Sequence, residues 1–242
     1  MTHRVFYDDA YAATCEATIT DINARGGIVL DRTIFYANSG GQPGDEGTLQ
    51  SADGVTCTIA TTVHDADARD TIVHVPADAA GDLSVGDKVT ITLDWARRHQ
   101  LMRMHTCMHL MCAVIPYPVT GGQIGVGEGR LDFDIADASA IDKETLTAQL
   151  NELIAGDHAV TTTWITDEEL TAKPELVRTM SVKPPMGSGR VRIVRIGEEG
   201  AVDLQPCGGT HVKTTSEIGR VVVKKVEKKG RQNRRIRLAF DG

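Results

Sequence analysis

The hydrophobic period of this chain changes at Asp94, and that change constrains what the chain can fold into. Before it, apolar residues come in short segments at residues 17–23, 27–30, 55–63, 71–75 and 88–93. Turn signals such as Arg25-Gly26-Gly27, Asp53-Gly54 and Val85-Gly86-Asp87 cut them apart. Many short strands at this spacing predict a small β-barrel. After Asp94 the period becomes helical over residues 96–115, with Leu101, Met104, Met108, Met111, Cys112 and Ile115 on one pattern. Asp94 supplies an N-cap and Pro116 a stop. A glycine-rich stretch at 120–127 follows, then a strand at 130–135 and an amphipathic helix at 143–155. Further strands are predicted at 160–165, 191–196, 201–204, 219–227 and 235–240, with a short helical turn from Asp167. The expected fold is α+β. An N-terminal small β-barrel over residues 1–95 precedes an α+β domain over 96–242, built on an antiparallel sheet and two main helices.

Charge follows the same division. The net charge is −7, which argues against a nucleic-acid binder until it is resolved by region. Residues 1–95 carry 5 basic and 15 acidic side chains, residues 96–242 carry 21 and 18. Between Arg220 and Arg237 lie Lys224, Lys225, Lys228, Lys229, Arg231, Arg234 and Arg235, against the single acid Glu227. Such a patch suits a polyanion, although charge alone favours a solvated basic hairpin. No apolar run reaches the ~20 residues of a membrane span, so no membrane partner is expected. Residues 1–9 show no apolar signal core, which predicts a cytoplasmic location. Five cysteines, an odd and sparse set, read as reduced thiols or metal ligands.

Two motifs carry chemistry. His105-Thr106-Cys107-Met108-His109 places two imidazoles at i and i+4, on one helical face and within reach of one ion. Thr106 stands where a zincin helix has its glutamate, which disfavours a protease of that kind. Pro206-Cys207-Gly208-Gly209-Thr210-His211 is the second motif. Its glycines break any helix and allow a positive φ, so that Cys207 and His211 can turn toward one point. Separately each motif is weak, but three histidines and a thiolate together match one tetrahedral zinc ion. Four protein ligands are the mark of a closed structural site, whereas the surrounding glycines suit the close approach of a substrate. The other cysteines, Cys15, Cys57, Cys107 and Cys112, read as small core residues. A third element, Phe35-Tyr36-Ala37-Asn38-Ser39-Gly40-Gly41-Gln42-Pro43-Gly44-Asp45-Glu46-Gly47, holds four glycines in eight residues and fits neither a phosphate loop nor a dinucleotide fingerprint. It reads either as a long barrel turn or as a loop shaped around a ligand.

The ordered set of Phe35-Tyr36 through Gln42, His105-x-x-x-His109 and Cys207-Gly208-Gly209-Thr210-His211 resembles the editing region of alanyl-tRNA synthetase and the freestanding alanyl-tRNA editing proteins of the AlaX type. Arg130-Leu131-Asp132-Phe133-Asp134, Val191-Arg192-Ile193-Val194 and Thr215-x-x-Ile218-Gly219 extend the likeness to nearly the whole chain. A length of 242 residues leaves no room for a synthetase core, so the likeness is to the trans-acting editors. It implies an ATP-independent hydrolase that deacylates mischarged Ser-tRNA(Ala), with Gly-tRNA(Ala) as an open second substrate, and that spares Ala-tRNA(Ala). The partner implied is mischarged tRNA(Ala), with no obligate protein partner.

The resemblance further implies one zinc ion on His105, His109, Cys207 and His211. It implies a substrate cleft lined by Gln42 and the amides of Gly40 and Gly41; a pocket that spares alanine needs a group that bonds the seryl hydroxyl, for which Gln42, Thr106 and the polar residues of 120–123 are the candidates. Two routes stay open: water oriented by zinc attacks the ester carbonyl with loop amides stabilising the oxyanion, or zinc holds the amino group while the terminal tRNA hydroxyl assists. Departures from the pattern are Thr106-Cys107-Met108 between the histidines and Gln205-Pro206 before the cysteine. The competing functions are a noncatalytic tRNA-binding module with a structural zinc, and a zinc hydrolase of a smaller ester.

Overall fold

A computed structural model describes residues 2–79, 81–136, 141–180 and 189–241. The chain divides into two units, Met1–His99 and Gln100–Gly242.

The first unit opens with β1 (His3–Arg4) and the single turn α1 (Val5–Asp8). It continues with β2 (Thr14–Ile22), β3 (Ile28–Leu30), β4 (Arg32–Thr33), β5 (Gly47–Ser51), β6 (Thr56–His64), β7 (Ile72–Pro76) and β8 (Lys88–Leu93). Six of these close a barrel in the order β2-β3-β7-β6-β5-β8, every neighbouring pair antiparallel. The alternation in β8 shows the cause: Val89, Ile91 and Leu93 are buried and Lys88, Thr90 and Thr92 exposed. With Ile19, Ile28, Leu30, Phe35, Leu49 and Ile59 they fill the barrel, and each buried side chain of this size contributes about 1.5–3 kcal/mol.

Strand β5 has no counterpart among the predicted strands. It begins on the last glycine of the glycine-rich loop, where a Cβ on Gly47 would run into the Thr92 carbonyl. Glycine there marks a close strand approach and hides the strand in the sequence.

One buried polar residue in the barrel carries a pH dependence. His74 is fully buried, with Nε2 2.8 Å from Thr33 Oγ1 and Nδ1 3.1 Å from the Ile28 carbonyl. Burial disfavours the imidazolium and pushes His74 down to about 4. The unfolded chain therefore binds a proton between pH 6.5 and 4 that the folded barrel refuses. Stability conferred by neutral His74 is full above the unfolded value and lost as pH falls through that window, by about 3 kcal/mol. Denaturant unfolding at pH 7 and pH 4 checks this. The His74→Gln barrel should show a correspondingly smaller difference.

The long helix α2 (Trp95–Val114) begins in the first unit and continues into the second. Asp94 caps it as expected, its Oδ1 accepting from Arg97 N–H at 3.0 Å. From Leu101 to Cys112 it is buried on almost every face, so its histidines face packed protein rather than water. The second unit adds β9 (Val119–Ile124), β10 (Glu128–Asp134), α3 (Lys143–Ala155), β11 (Val160–Thr166), α4 (Asp167–Ala172), β12 (Arg190–Ile196), β13 (Asp203–Pro206), β14 (Val221–Lys228) and β15 (Asn233–Phe240).

The unit holds two antiparallel sheets where one was expected: β14-β15-β10-β9 and β11-β12-β13. The glycine-rich stretch after α2 proves to be strand β9, with Gly122 opposite Leu131 of β10. A Cβ at Gly122 would fall 2.8 Å from the Leu131 side chain. Gly129 plays the same part toward α2, because a Cβ there would collide with Met104 and Met108. Helix α3, capped by Asp142, covers the β14 edge through Asn151, which exchanges two hydrogen bonds with the Val221 backbone. No helix among the described residues is long and apolar enough to cross a membrane.

Candidate metal centre

Two elements of the second unit bring four donors together. His105 and His109 lie one turn apart on α2, and Cys207 and His211 lie on the loop after β13. Their donor atoms all fall within 4.8 Å of one another. Cys207 Sγ is 3.5 Å from His105 Nε2 and 3.3 Å from His211 Nε2. The three rings pack with centroids 4.3–5.4 Å apart. The histidines are buried and Cys207 is half-buried.

The loop reaches this geometry without the positive φ that its glycines allow; neither Gly208 nor Gly209 uses it. Arg192 of β12 does the shaping instead. Its Nη1 donates to the carbonyls of both Cys207 and Gly209 at 2.9 Å. Gly209 N–H donates to the Cys207 sulfur at 3.3 Å, a bond that favours the thiolate.

The outward ring nitrogens of His109 and His211 are held as well. His109 Nδ1–H donates to Asp203 Oδ2 at 2.8 Å, and Gln205 Nε2 donates to the same oxygen at 2.9 Å. Thr106 Oγ1 donates to the Met102 carbonyl at 3.0 Å. Its single hydrogen being used, it accepts from His211 Nδ1–H at 3.1 Å and from Val212 N–H at 3.3 Å. Asp203 and Thr106 therefore turn Nε2 of His109 and His211 toward the cluster, as partners of metal-ligating histidines do. Replacing Thr106 by valine should weaken metal binding by about 10- to 100-fold, and serine should restore it. A chelator competition titration on the two variants measures both.

The charges also call for a cation. Burial alone would raise the Cys207 thiol, but the His105 and His211 rings beside it take it well below its ordinary value. Burial lowers His109, yet the Asp203 and Cys207 anions lift it to about 10. His211, desolvated and beside His105, drops well below the ordinary imidazole value. The His109 imidazolium balances the enclosed thiolate and carboxylate, and a metal ion on the four donors would take the place of its Nε2 proton. Cys107 and Cys112 are pushed up to about 12 by burial and stay thiols.

Sequence reasoning missed Asp203, Gln205 and Arg192. Positions 203, 205 and 207 share one face of β13 and its continuation, but that period alone does not tell a buried face from an exposed one. The other candidate residues lie elsewhere. In the first unit Gly40 (φ 57) and Gly41 (φ 83) form a tight turn closed by Ser39 N–H to Gln42 O and Gln42 N–H to Ser39 O. Gly40 is exposed there, and Gln42 is fully buried.

On the β14–β15 hairpin, Lys224, Lys225, Lys228, Lys229 and Arg231 are exposed. Lys225 and Lys229 each approach Glu227 to 3.3 Å. Arg234 is buried, its guanidinium turned to the carbonyls of Gly230, Arg231, Asn233 and Ala136. Arg235 makes a two-point bond to Asp132 at 2.8 Å.

Known proteins are similar to this chain along nearly its whole length. Residues 191–237 match the family model described as the threonyl and alanyl tRNA synthetase second additional domain. Residues 8–97 match the model for class II (A) tRNA synthetases. The alanyl-tRNA editing protein AlaX-M of Methanosarcina mazei is 35% identical over 245 residues, covering 98% of this chain and 95% of that protein. AlaX-M of Saccharolobus solfataricus is 31% identical, with 98% of both chains covered. The alanine–tRNA ligase of Pyrobaculum calidifontis is 32% identical across 94% of this chain, which amounts to 25% of the ligase. Matched over nearly its whole length at this identity, the chain belongs to the family of alanyl-tRNA editing proteins, the AlaX type.

Proposed function

We propose that the chain is a zinc-dependent trans-editing deacylase acting on Ser-tRNA(Ala), with Gly-tRNA(Ala) as a second candidate substrate and Ala-tRNA(Ala) spared. The observation that carries the metal reading is the spacing of the donors. Tetrahedral zinc with bonds of about 2.0–2.3 Å separates its ligand atoms by roughly 3.3–3.8 Å, and Cys207 Sγ stands 3.5 and 3.3 Å from two imidazole nitrogens. Three nitrogens and a thiolate form a borderline-soft set that suits zinc better than calcium or magnesium.

The need for such an activity follows from size and polarity. A pocket shaped for alanine admits glycine, and rejects a side chain that merely adds a hydroxyl by only about 100-fold. A second hydrolytic site supplies the missing discrimination. When bound, zinc supplies Lewis-acid polarisation of the ester carbonyl. The chain's own part is to hold three nitrogens and one sulfur in place, through Asp203, Thr106 and Arg192. Asp203 and Thr106 also keep Nε2 of His109 and His211 facing the centre. Hydrolysis then adds water across the ester: the acyl C–O bond breaks, the amino acid leaves as its carboxylate and the tRNA regains its terminal hydroxyl. In the barrel unit, the exposed Gly40 amide is the group of the glycine-rich turn that we propose for substrate contact, ahead of buried Gln42. On the hairpin, exposed Lys224, Lys228 and Arg231 are proposed to meet tRNA phosphates.

The four-donor count favours a second reading, a noncatalytic tRNA-binding module with a closed structural ion. One assay separates the two. Purified zinc-loaded protein is incubated with tRNA(Ala) charged with serine, glycine or alanine. Release of serine, with alanine retained, supports the deacylase. Tight tRNA binding without turnover above the uncatalysed rate assigns the chain to the second reading.

A further inference from the structure

We infer that Trp164, with Arg190 over its ring, is a stacking platform for the 3′-terminal nucleobase of the RNA whose ester reaches the metal centre. The inference rests on the deacylase reading and places the RNA end on one face of the smaller sheet.

The register of the sheet carries it. Trp164 of β11 is opposite Arg192 of β12. Arg192 is in turn opposite Cys207, whose N–H donates to the Arg192 carbonyl at 3.1 Å. Residues directly opposite in an antiparallel pair project from the same face. Trp164, Arg192 and Cys207 thus form one cross-strand row, on the face that also carries Gln205 and Asp203 through their partners Val194 and Ile196. Two strand spacings separate the ends of the row, about 10 Å. That span is of the size of one nucleoside, so a base stacked at Trp164 leaves its ribose ester near Cys207.

The chemistry of the row's outer end fits a base. β11 is an edge strand, and Trp164 is 42% exposed on it, an uncommon position for so large an apolar ring. The Arg190 guanidinium lies 4.7 Å from the ring centroid, and Arg190 is itself exposed. An indole and a guanidinium in stacked contact offer flat, electron-complementary surface of the kind that binds unpaired bases without reading their sequence. Asp167, Glu168 and Glu169 open α4 directly after this strand. They repel phosphate, which leaves the aromatic face of a base as the moiety this end of the row accepts. The interaction lies apart from the four donors, so losing it should weaken substrate binding and leave the donor set intact.

The test uses the full zinc-loaded chain and tRNA(Ala) carrying 2-aminopurine in place of its terminal adenine. Stacking quenches the fluorescence of that base. The wild-type protein should quench it. Trp164→Ala should abolish quenching and raise KM for Ser-tRNA(Ala) by about tenfold or more, with kcat and metal content unchanged. Trp164→Phe should retain most of both effects, which guards against a folding defect, and Arg190→Gln should fall between. Unchanged quenching and KM in Trp164→Ala overturn the inference, and a change in oligomeric state with unchanged quenching overturns it in favour of contact with a second copy. A wild-type protein that quenches but fails to deacylate defeats the deacylase reading and leaves the platform standing.

Discussion

Cys207→Ala is expected to lose its metal ion and its deacylation together, with metal affinity down by more than 100-fold. The sulfur is the only anionic donor of the four and the one in contact with two of the rings. Loss of a second-layer partner alone lowers metal affinity by about 10- to 100-fold, so loss of a charged ligand sets that range as a floor. His109→Ala should do the same and cost fold stability as well. Asp203 is 6% exposed, and without the imidazole its Oδ2 keeps only the Gln205 amide, a buried carboxylate short of its cation partner. The two variants therefore differ in a defined way: both lose metal, and His109→Ala also melts earlier when compared with the metal-free wild type. Elemental analysis, chelator competition and thermal unfolding measure the three quantities. A Cys207→Ala protein that keeps a full complement of metal would show that the sulfur is not a ligand.

The second large effect lies in the barrel unit. Arg98 and Asp45 are both fully buried and joined by several hydrogen bonds, including Nε to each carboxylate oxygen at 3.0 Å. The same guanidinium donates to the carbonyls of Ala10 and Ile34, and Asp45 accepts Tyr36 N–H at 2.6 Å. This pair anchors the end of the glycine-rich loop to the start of α2. Asp45→Ala strands a buried guanidinium and should destabilise the barrel by about 3–5 kcal/mol. Asp45→Leu combined with Arg98→Met should recover a substantial part of that loss, because removing both charges removes the desolvation cost of each. Urea unfolding followed in the barrel decides the matter. A loss below about 1 kcal/mol, the range of an exposed pair, contradicts it.

All four residues of the donor cluster were legible because the chemistry is carried by rare residue types in tight local spacing: His105 with His109, and Cys207 with His211. Helix α3 was legible to the residue, since Asp142 and a 3.6-residue pattern mark it out. The supporting residues were not. Asp203, Gln205 and Arg192 lie on strands where a polar residue at every second position ordinarily faces water, and only the packing of the folded unit, with His109 of α2 on Asp203, buries that face. The same limit hid β5 and β9. Their glycines read locally as loop signals, but they serve close approach: Gly47 to the Thr92 carbonyl of β8, and Gly122 to the Leu131 side chain of the next strand, β10. The basic run 220–237 misled in the opposite direction. Seen as charge it was one patch, but the strand register sends Arg234 into the interior and ties Arg235 to Asp132. Arg235 stands opposite Asp132 on the neighbouring strand, a pairing across 103 residues that no local pattern displays.

The most direct test of the account is a zinc titration of metal-stripped protein, followed by both bound metal and Ser-tRNA(Ala) deacylation. The account predicts one tightly held ion per chain, with turnover rising in proportion to occupancy and ending at that stoichiometry, while Ala-tRNA(Ala) stays intact throughout. Full deacylation by the metal-free protein, or a saturated site with no deacylation, would contradict it.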